Sequence, residues 1–567
     1  MRKRLFIFAA ATCFALSAFA TPAFAGEPNL PEGPTISSEA SVQSDGNSNG
    51  NSNGNSNVNS DVNSDVNSDV NAKKDAPPSG SNDALPDKES YSVEGRTNPS
   101  GTDPVAKIGN TGYATLQAAI DAACLTSSDA TITLQSDLEL NNEGLRFIGS
   151  DDPNVPWKKI TLNADNHSLT LNQKGIYATH CEVTIENCRE LTVHAGTNPG
   201  GTDGSNTNIS AVLFCPGTLI LDKCDTVTIT NPEPTTGGSG LCIYNGGNLC
   251  IQNNTRFTVS GFMNPGPDGE DGCSGIYIDS DTDVNHNNNY QKIMGQIVVS
   301  NNSTLTATNC FHNGITANPV DVEVTNNSEI NVNRNGDATD PYAHQGGIGC
   351  YYGTMTISDN SRVISENNGS TFGIFVHNLD VDGTSEIESR YDTIYGIAFN
   401  GNAVLQSGAK MTSVGHFGPG IALYNFKDSK GSLTVQKDAV LSSSSNHNVG
   451  LANGGNNFNV LPGAKVYLND NLVGLDNYPH ATTTVEAGAH LEICRNGERG
   501  IKNGNNTDNP GPGTLILNAG LITENNKLDR IPYKDNLSFM VDKHEDYGGG
   551  IYNAYGTVSL LSLIHIS

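Results

Sequence analysis

The chain has 567 residues with 31 Lys and Arg against 60 Asp and Glu, a formal net charge of −29. Removing Arg2, Lys3 and Arg4 with an N-terminal leader takes this to about −32, which disfavours nucleic acid and repels polyanions such as pectate unless calcium bridges them. After residue 25 there is no apolar run of the roughly 20 residues a membrane-spanning helix needs, so no transmembrane segment is expected in the mature chain.

Residues 1–25 read as a secretory signal peptide, with basic Arg2-Lys3-Arg4, an apolar run from Leu5 to Phe19, and Ala23-Phe24-Ala25 before Gly26. This predicts a bacterial protein that is secreted or held at the cell surface. Residues 26–104 are rich in Asn, Ser, Asp, Gly and Pro, with Asn-Ser-Asp-Val repeated from Asn59 to Val70. Such a segment has too little apolar surface to offset chain ordering and reads as a disordered acidic spacer rather than a calcium-binding tract. Eleven cysteines remain beyond the leader, and export permits disulfides without requiring them.

Folded structure is expected from Val105, with a hairpin around Gly109 to Gly112. Thr115 is placed to cap a short helix whose Leu116, Ala119, Ile120 and Ala123 share one face. From there a repeat takes over. Gly-Ile or Gly-Leu starts stand at Gly175, Gly240, Gly275, Gly314, Gly347, Gly373, Gly396, Gly420, Gly450, Gly474, Gly500 and Gly550, and Ala211-Val212 substitutes once, making thirteen. After each start, alternating apolar residues recur with a six-residue step, as in Ile185 to Leu191, Leu221 to Val227 and Ile357 to Val363. Cys188, Cys224, Asn254, Asn302, Asn327, Asn360 and Gly408 fall inside that step, where turn residues belong. Each repeat therefore reads as strand, corner, strand, turn, strand, with alternate side chains inward. Long insertions at 194–210, 231–239, 261–274 and 333–346 share one corner, so their loops should project from one side.

These starts, together with Tyr547-Gly-Gly-Gly-Ile-Tyr-Asn553 followed by Gly556-Thr-Val-Ser-Leu560, resemble the right-handed parallel β-helix proteins, the pectate-lyase-like group that includes bacterial surface proteins. The resemblance spans residues 105–560. It implies an all-β, single-stranded right-handed parallel β-helix solenoid, with the helix near 115–123 capping its open end. Residues 561–567 break the repeat and read as the product of an incomplete gene. The fold hosts adhesins, lyases and hydrolases, so function must come from a site.

Outward aromatic residues after the starts are the candidate ligand-binding row: Tyr244, Tyr277, Tyr351, Phe375, His377 and Tyr424, on the flank beside the insertions. Rings in a row can stack sugars, and they can equally pair across rungs for stability. Asp279, Asp281 and Asp283 alternate like calcium ligands, although Val284 and Tyr290 stand where an EF-hand needs Gly and Glu. Calcium is thus the candidate cation. Cys188 and Cys224 occupy equivalent positions in adjacent coils, within reach of a disulfide or of stacking as free thiols. Cys350 falls on the inward phase. The nearest approaches to hydrolase motifs, Gly415-His416-Phe417 and Arg390-Tyr391-Asp392, depart from them, and no catalytic residue is assigned. The expected function is that of an exported cell-surface binding or adhesion protein with a glycan or host-surface ligand. The alternatives are a secreted polysaccharide lyase or glycoside hydrolase, and a purely structural stalk.

Overall fold

The computed structural model describes residues 103–152, 155–195, 210–232, 238–263, 274–280, 294–336, 346–369, 371–424, 431–504, 511–523, 550–553, 556–560 and 565–566. The expected leader, 1–25, and the expected spacer up to residue 102 lie outside them. Ala106–Ile108 and Thr111–Tyr113 form the antiparallel hairpin, and Ala106–Ile108 also pairs with Ala130–Leu134, which begins the regular stack. Between them runs helix α1, Leu116–Leu125. Thr115 caps it, its hydroxyl accepting from Ala118 N at 3.2 Å, and Leu116, Ala119, Ile120 and Ala123 are its buried face. The helix covers the first rung of the core, as its apolar spacing implied.

The rest is a stack of parallel strands in three ladders, and the chain is a right-handed parallel β-helix. Most coils contribute one short strand to each ladder, and in two coils a single strand, Ile348–Ile357 or Phe372–Val381, runs through the first and second ladders. In the first ladder the residue after every start lies in register with its counterpart: Ile176 on Val212, Ile348 on Ile374, Ile501 on Ile551. Leu145, preceded by Gly144, joins below Ile176, so one further start precedes the thirteen. The six-residue step links inward residues of the second and third ladders, where Ile185 stacks on Leu221 and Leu191 on Val227. Repetition of one shape at strand spacing of about 4.8 Å makes the core continuous. Ile348 is 2 % exposed and Cys350 0 %, both inward as expected. Burial pushes the Cys350 thiol pKa up to about 12, so it behaves as a small hydrophobe. Two residues of the tail, His565–Ile566, pair with Ile522 and Thr523 at the end of the third ladder, through backbone groups that require no apolar pattern.

The corners carry their own buried stacks. Between the third and first ladders, Asn335 N donates to Asn368 Oδ1 (3.0 Å), Asn446 N to Asn471 Oδ1 (3.1 Å) and Asn471 N to Asn496 Oδ1 (2.9 Å). The Nδ2 groups of Asn335, Asn368, Asn471 and Asn496 return hydrogen bonds to carbonyls of the preceding coil, as Asn368 does to Val332 O at 3.1 Å, whereas that of Asn446 donates to Ser443 Oγ and Asn471 Oδ1. The preceding residue adopts left-handed geometry, as at Asn367 (φ 54°). This ladder explains most of the later glycine starts, which do not themselves have positive φ. A Cβ on Gly420 would run into Ser443 Oγ and Asn446 Nδ2, and one on Gly373 into Asp392 and Ser389. From Gly314 to Gly474 polar side chains at this corner pack against the α-carbons of the starts, while at Gly175, Gly240 and Gly275 the carbonyl of the following start stands where a Cβ would go.

Candidate functional site

The aromatic residues proposed as one row occupy two register positions on the first ladder. Tyr277 aligns with Cys242 in mid-strand, whereas Tyr244 aligns with Asp279 at the strand end. The two tyrosine rings still meet, with centroids 5.8 Å apart. Phe375 aligns with Gly349, and the ring of Tyr351 folds back over that glycine to lie 5.2 Å from Phe375. Phe372 lies 5.0 Å from Phe375 and 5.2 Å from Tyr395, and Tyr395 lies 5.6 Å from Tyr424. These are edge-on and offset packings that stabilise an apolar layer outside the sheet. Phe375 is only 4 % exposed, which corrects its assignment as a solvent-facing ring: its phase is outward, but its neighbours cover it.

The exposed ring at this flank is Tyr352, which alternation in the sequence did not single out. Pairing between the strands Ile348–Ile357 and Phe372–Val381 shifts register after Cys350, where Thr354 rather than Tyr352 opposes Asn378. The two extra residues form a bulge, and Tyr352 stands on it with φ 65° and 57 % exposure. Left-handed geometry is unfavourable for a bulky side chain, so the corner holds this ring at a conformational cost. The sequence signal was the spacing: Ile348 to Met355 is two residues longer than Ile374 to Leu379.

His377 flanks Tyr352, with ring centroids 6.4 Å apart. Its Nδ1 donates to Asn400 Oδ1 at 2.7 Å, which leaves Nε2 of the neutral ring as an acceptor. Backbone bonds hold the corner: Gly401 N donates to His377 O at 2.8 Å, and Asn402 N to Asn378 Oδ1 at 2.9 Å. The arrangement can offer one flat ring, one imidazole and adjacent amides to a ligand. It has no group positioned as a nucleophile.

A Ser, Asp and His do meet elsewhere. Ser389 Oγ donates to Asp392 Oδ2 at 2.5 Å and lies 3.5 Å from His416 Nε2. All three are sealed in the corner ladder, with exposures of 0 %, 1 % and 0 %, so no substrate reaches them there. A second charged centre follows the repeat length. Asp476 and Lys502 share a rung and pair at 3.0 Å, Lys502 Nζ lies 5.8 Å from the Tyr478 ring, and the Arg499 guanidinium stacks 4.6 Å over Tyr552. Burial pushes the Asp476 pKa up, against the pull of Lys502.

Of the calcium candidates, Asp279 ends a first-ladder strand and accepts from Tyr277 OH at 3.3 Å, while Asp281 and Asp283 lie outside the described residues. Among the described residues no three His, Cys, Asp or Glu side chains are grouped to hold a metal ion. Cys188 and Cys224 are buried free thiols in successive coils. The hydrogen bond between them draws the Cys188 pKa down and drives that of Cys224 up. Among the described residues no helix is long and apolar enough to cross a membrane.

No protein-family model matches the chain, and no curated protein matches it. Among solved structures it is similar to the periplasmic alginate epimerase AlgG, at 12 % identity over 70 % of this chain and 85 % of that one, with a TM-score of 0.34. It is also similar to the Dettilon tailspike protein gp208, at 12 % identity over 66 % and 61 % of the two chains, with a TM-score of 0.20. Likeness at this level transfers neither substrate nor activity. The parallel β-helix stands on the strand register of the chain itself.

Proposed function

We propose that the protein is an exported surface protein that binds carbohydrate at the Tyr352–His377 corner of its β-helix. The observation that carries this is the exposed Tyr352 ring, held on a bulge beside an imidazole acceptor and amide groups. An aromatic face covers the apolar face of a sugar ring while neighbouring polar groups satisfy its hydroxyls. The packed layer of Tyr351, Phe375, Phe372 and Tyr395 behind it keeps the platform rigid, which lowers the ordering cost of binding. The leader sequence supports export, and the acidic chain favours neutral over polyanionic glycans.

The test is a glycan array followed by titration of any hit against Tyr352→Ala and Tyr352→Phe. Tyr352→Ala should lose at least about tenfold in affinity, roughly 1.4 kcal/mol, while Tyr352→Phe retains most of it. Both should keep thermal stability within about 0.5 kcal/mol of the parent, as expected for an exposed side chain. Affinity unchanged in Tyr352→Ala would refute the assignment of this corner. Turnover of a polysaccharide would favour the lyase or hydrolase reading, and no ligand at all would leave the structural stalk.

A further inference from the structure

The asparagine ladder between the third and first ladders is interrupted once, by Asp392 and His416. His416 reproduces an asparagine's hydrogen bonds only as a neutral ring. Its Nδ1 accepts from Asp392 N at 3.1 Å, in the place of an Oδ1, and Nε2–H donates to Ser389 O at 3.2 Å, in the place of an Nδ2. The next rung continues normally, with His416 N donating to Asn446 Oδ1 at 3.0 Å. Asp392 keeps the acceptor half of the pattern: Oδ1 receives Asn368 N and Asn368 Nδ2, both at 2.9 Å. Where an amide donor would stand, Oδ2 instead accepts the hydroxyls of Ser365 (3.0 Å) and Ser389 (2.5 Å). Four donors thus converge on a carboxylate that has no cation against it apart from a protonated His416.

We propose that the Asp392–His416 rung is an acid-sensitive joint in an otherwise non-titrating ladder, opened when His416 takes up a proton. A proton on Nδ1 faces the Asp392 N–H, donor against donor. The ring can then serve only the Asp392 carbonyl, 3.1 Å away, leaving a buried backbone N–H unpaired. The rungs on either side, Asn335 to Asn368 and Asn446 to Asn471 to Asn496, have nothing to titrate. The first-ladder strands resting on the joint, Phe372–Val381 and Tyr395–Phe399, contain Gly373 and Gly396, whose α-carbons pack against Asp392 and His416. Those strands carry Phe375 and Tyr395, so loosening the joint loosens the aromatic layer.

The groups facing the pair are Ser365 and Asn368 from the coil before, Ser389 from its own coil, and Ser413 and Asn446 beyond. Glu388 and Arg390 flank Ser389 but bond to each other on the outer face. His447 N donates to His416 O from the next rung at 2.8 Å, and burial lowers the His447 pKa as well. Burial lowers the His416 pKa below its ordinary 6.5, against the pull of Asp392. Its contribution is therefore fully present above pH 6.5 and lost as pH falls through the lowered folded value. Burial raises the Asp392 pKa above 3.8, so its contribution has the opposite sign: present below pH 3.8 and lost as pH rises through the raised folded value.

Amide hydrogen exchange of the full chain between pH 7.5 and 5, normalised to unfolded-peptide rates, tests this with His416→Asn and Asp392→Asn. In the parent, protection of the Asp392 amide should fall with acid by at least about tenfold relative to the Asn446 amide. His416→Asn should abolish that local loss, and Asp392→Asn, which leaves the histidine alone, should steepen it. Equal pH dependence in parent and His416→Asn, or a uniform loss across all rungs, overturns the proposal. Should His416→Asn fail to fold, NMR titration of the parent His416 ring decides: a titration not accompanied by loss of Asp392 protection also overturns it.

Discussion

The coils before residue 390 and the coils after it turn the corner between the second and third ladders by different chemistry. In the earlier coils a buried hydroxyl accepts a backbone N–H of the preceding coil. Cys224 N donates to Thr255 Oγ1 (3.1 Å), Thr255 N to Ser303 Oγ (3.2 Å), Ser303 N to Ser328 Oγ (3.2 Å), Ser328 N to Ser361 Oγ (3.1 Å) and Ser361 N to Ser385 Oγ (3.3 Å). In the later coils the equivalent residue is alanine and the turn closes on itself. Ala409 N donates to Gln406 O, Ala464 N to Leu461 O and Ala489 N to Glu486 O, each at 3.0 Å. Ser385 is the transition, since its own N also bonds to Asp382 O within the turn. A hydroxyl corner therefore couples each coil to the next through a side chain as well as the backbone, while at an alanine corner the residue's own N–H is satisfied within its turn and only backbone bonds cross to the next coil. The later coils regain coupling at another corner. There Asn453 Nδ2 donates to Asn477 Oδ1 (3.0 Å), Asn477 Nδ2 to Asn503 Oδ1 (2.7 Å) and Asn503 Nδ2 to Asn553 Oδ1 (2.8 Å).

The core is common ground, so the largest effects should not distinguish the two regions. Ile348→Asp and Leu441→Asp, at sites 2 % and 0 % exposed, should each cost about 3–5 kcal/mol in chemical denaturation, because each buries an unpaired charge. A small effect at one site only would mean that its coil opens independently and the comparison needs redrawing. Next, Asn477→Ala should cost about 2–3 kcal/mol, since it strips partners from Asn453, Asn503 and Thr483 in three separate segments. The smallest change is the sharpest comparison. Ser328→Ala should cost about 1–3 kcal/mol and accelerate exchange at the Ser303 amide one coil away, whereas Ala439→Gly should cost about 1 kcal/mol and perturb only its own turn. Transmission of equal size from both sites would remove the distinction between coupled and self-closed corners.

Strand phase was legible because a stacked core asks for the same chemistry at every rung. Ile348, Ile374 and Ile397 could be aligned from their starts alone, and Leu116, Ala119, Ile120 and Ala123 announced the capping helix. The start at Gly144 escaped notice because its coil lies before the regular spacing begins. Asn453, Asn477 and Asn503 each follow a start by three residues, and they are buried as a ladder at that corner.

What the sequence by itself determined is the set of properties that repeat locally: alternation, turn chemistry, and the glycine that opens each coil. Tertiary structure decided what depends on residues 20 to 30 positions away. Phe375 has an outward phase in any register, but only its neighbours Tyr351 and Phe372 decide that it is covered. The exposure of Tyr352 comes from a bulge, which is a relation between two strands and not a property of either. Asp392 and His416 looked like fragments of a catalytic motif until register placed them in an asparagine ladder. The physical reason is the same in each case: a strand sets where its side chains point, and the coil stacked upon it sets what they meet.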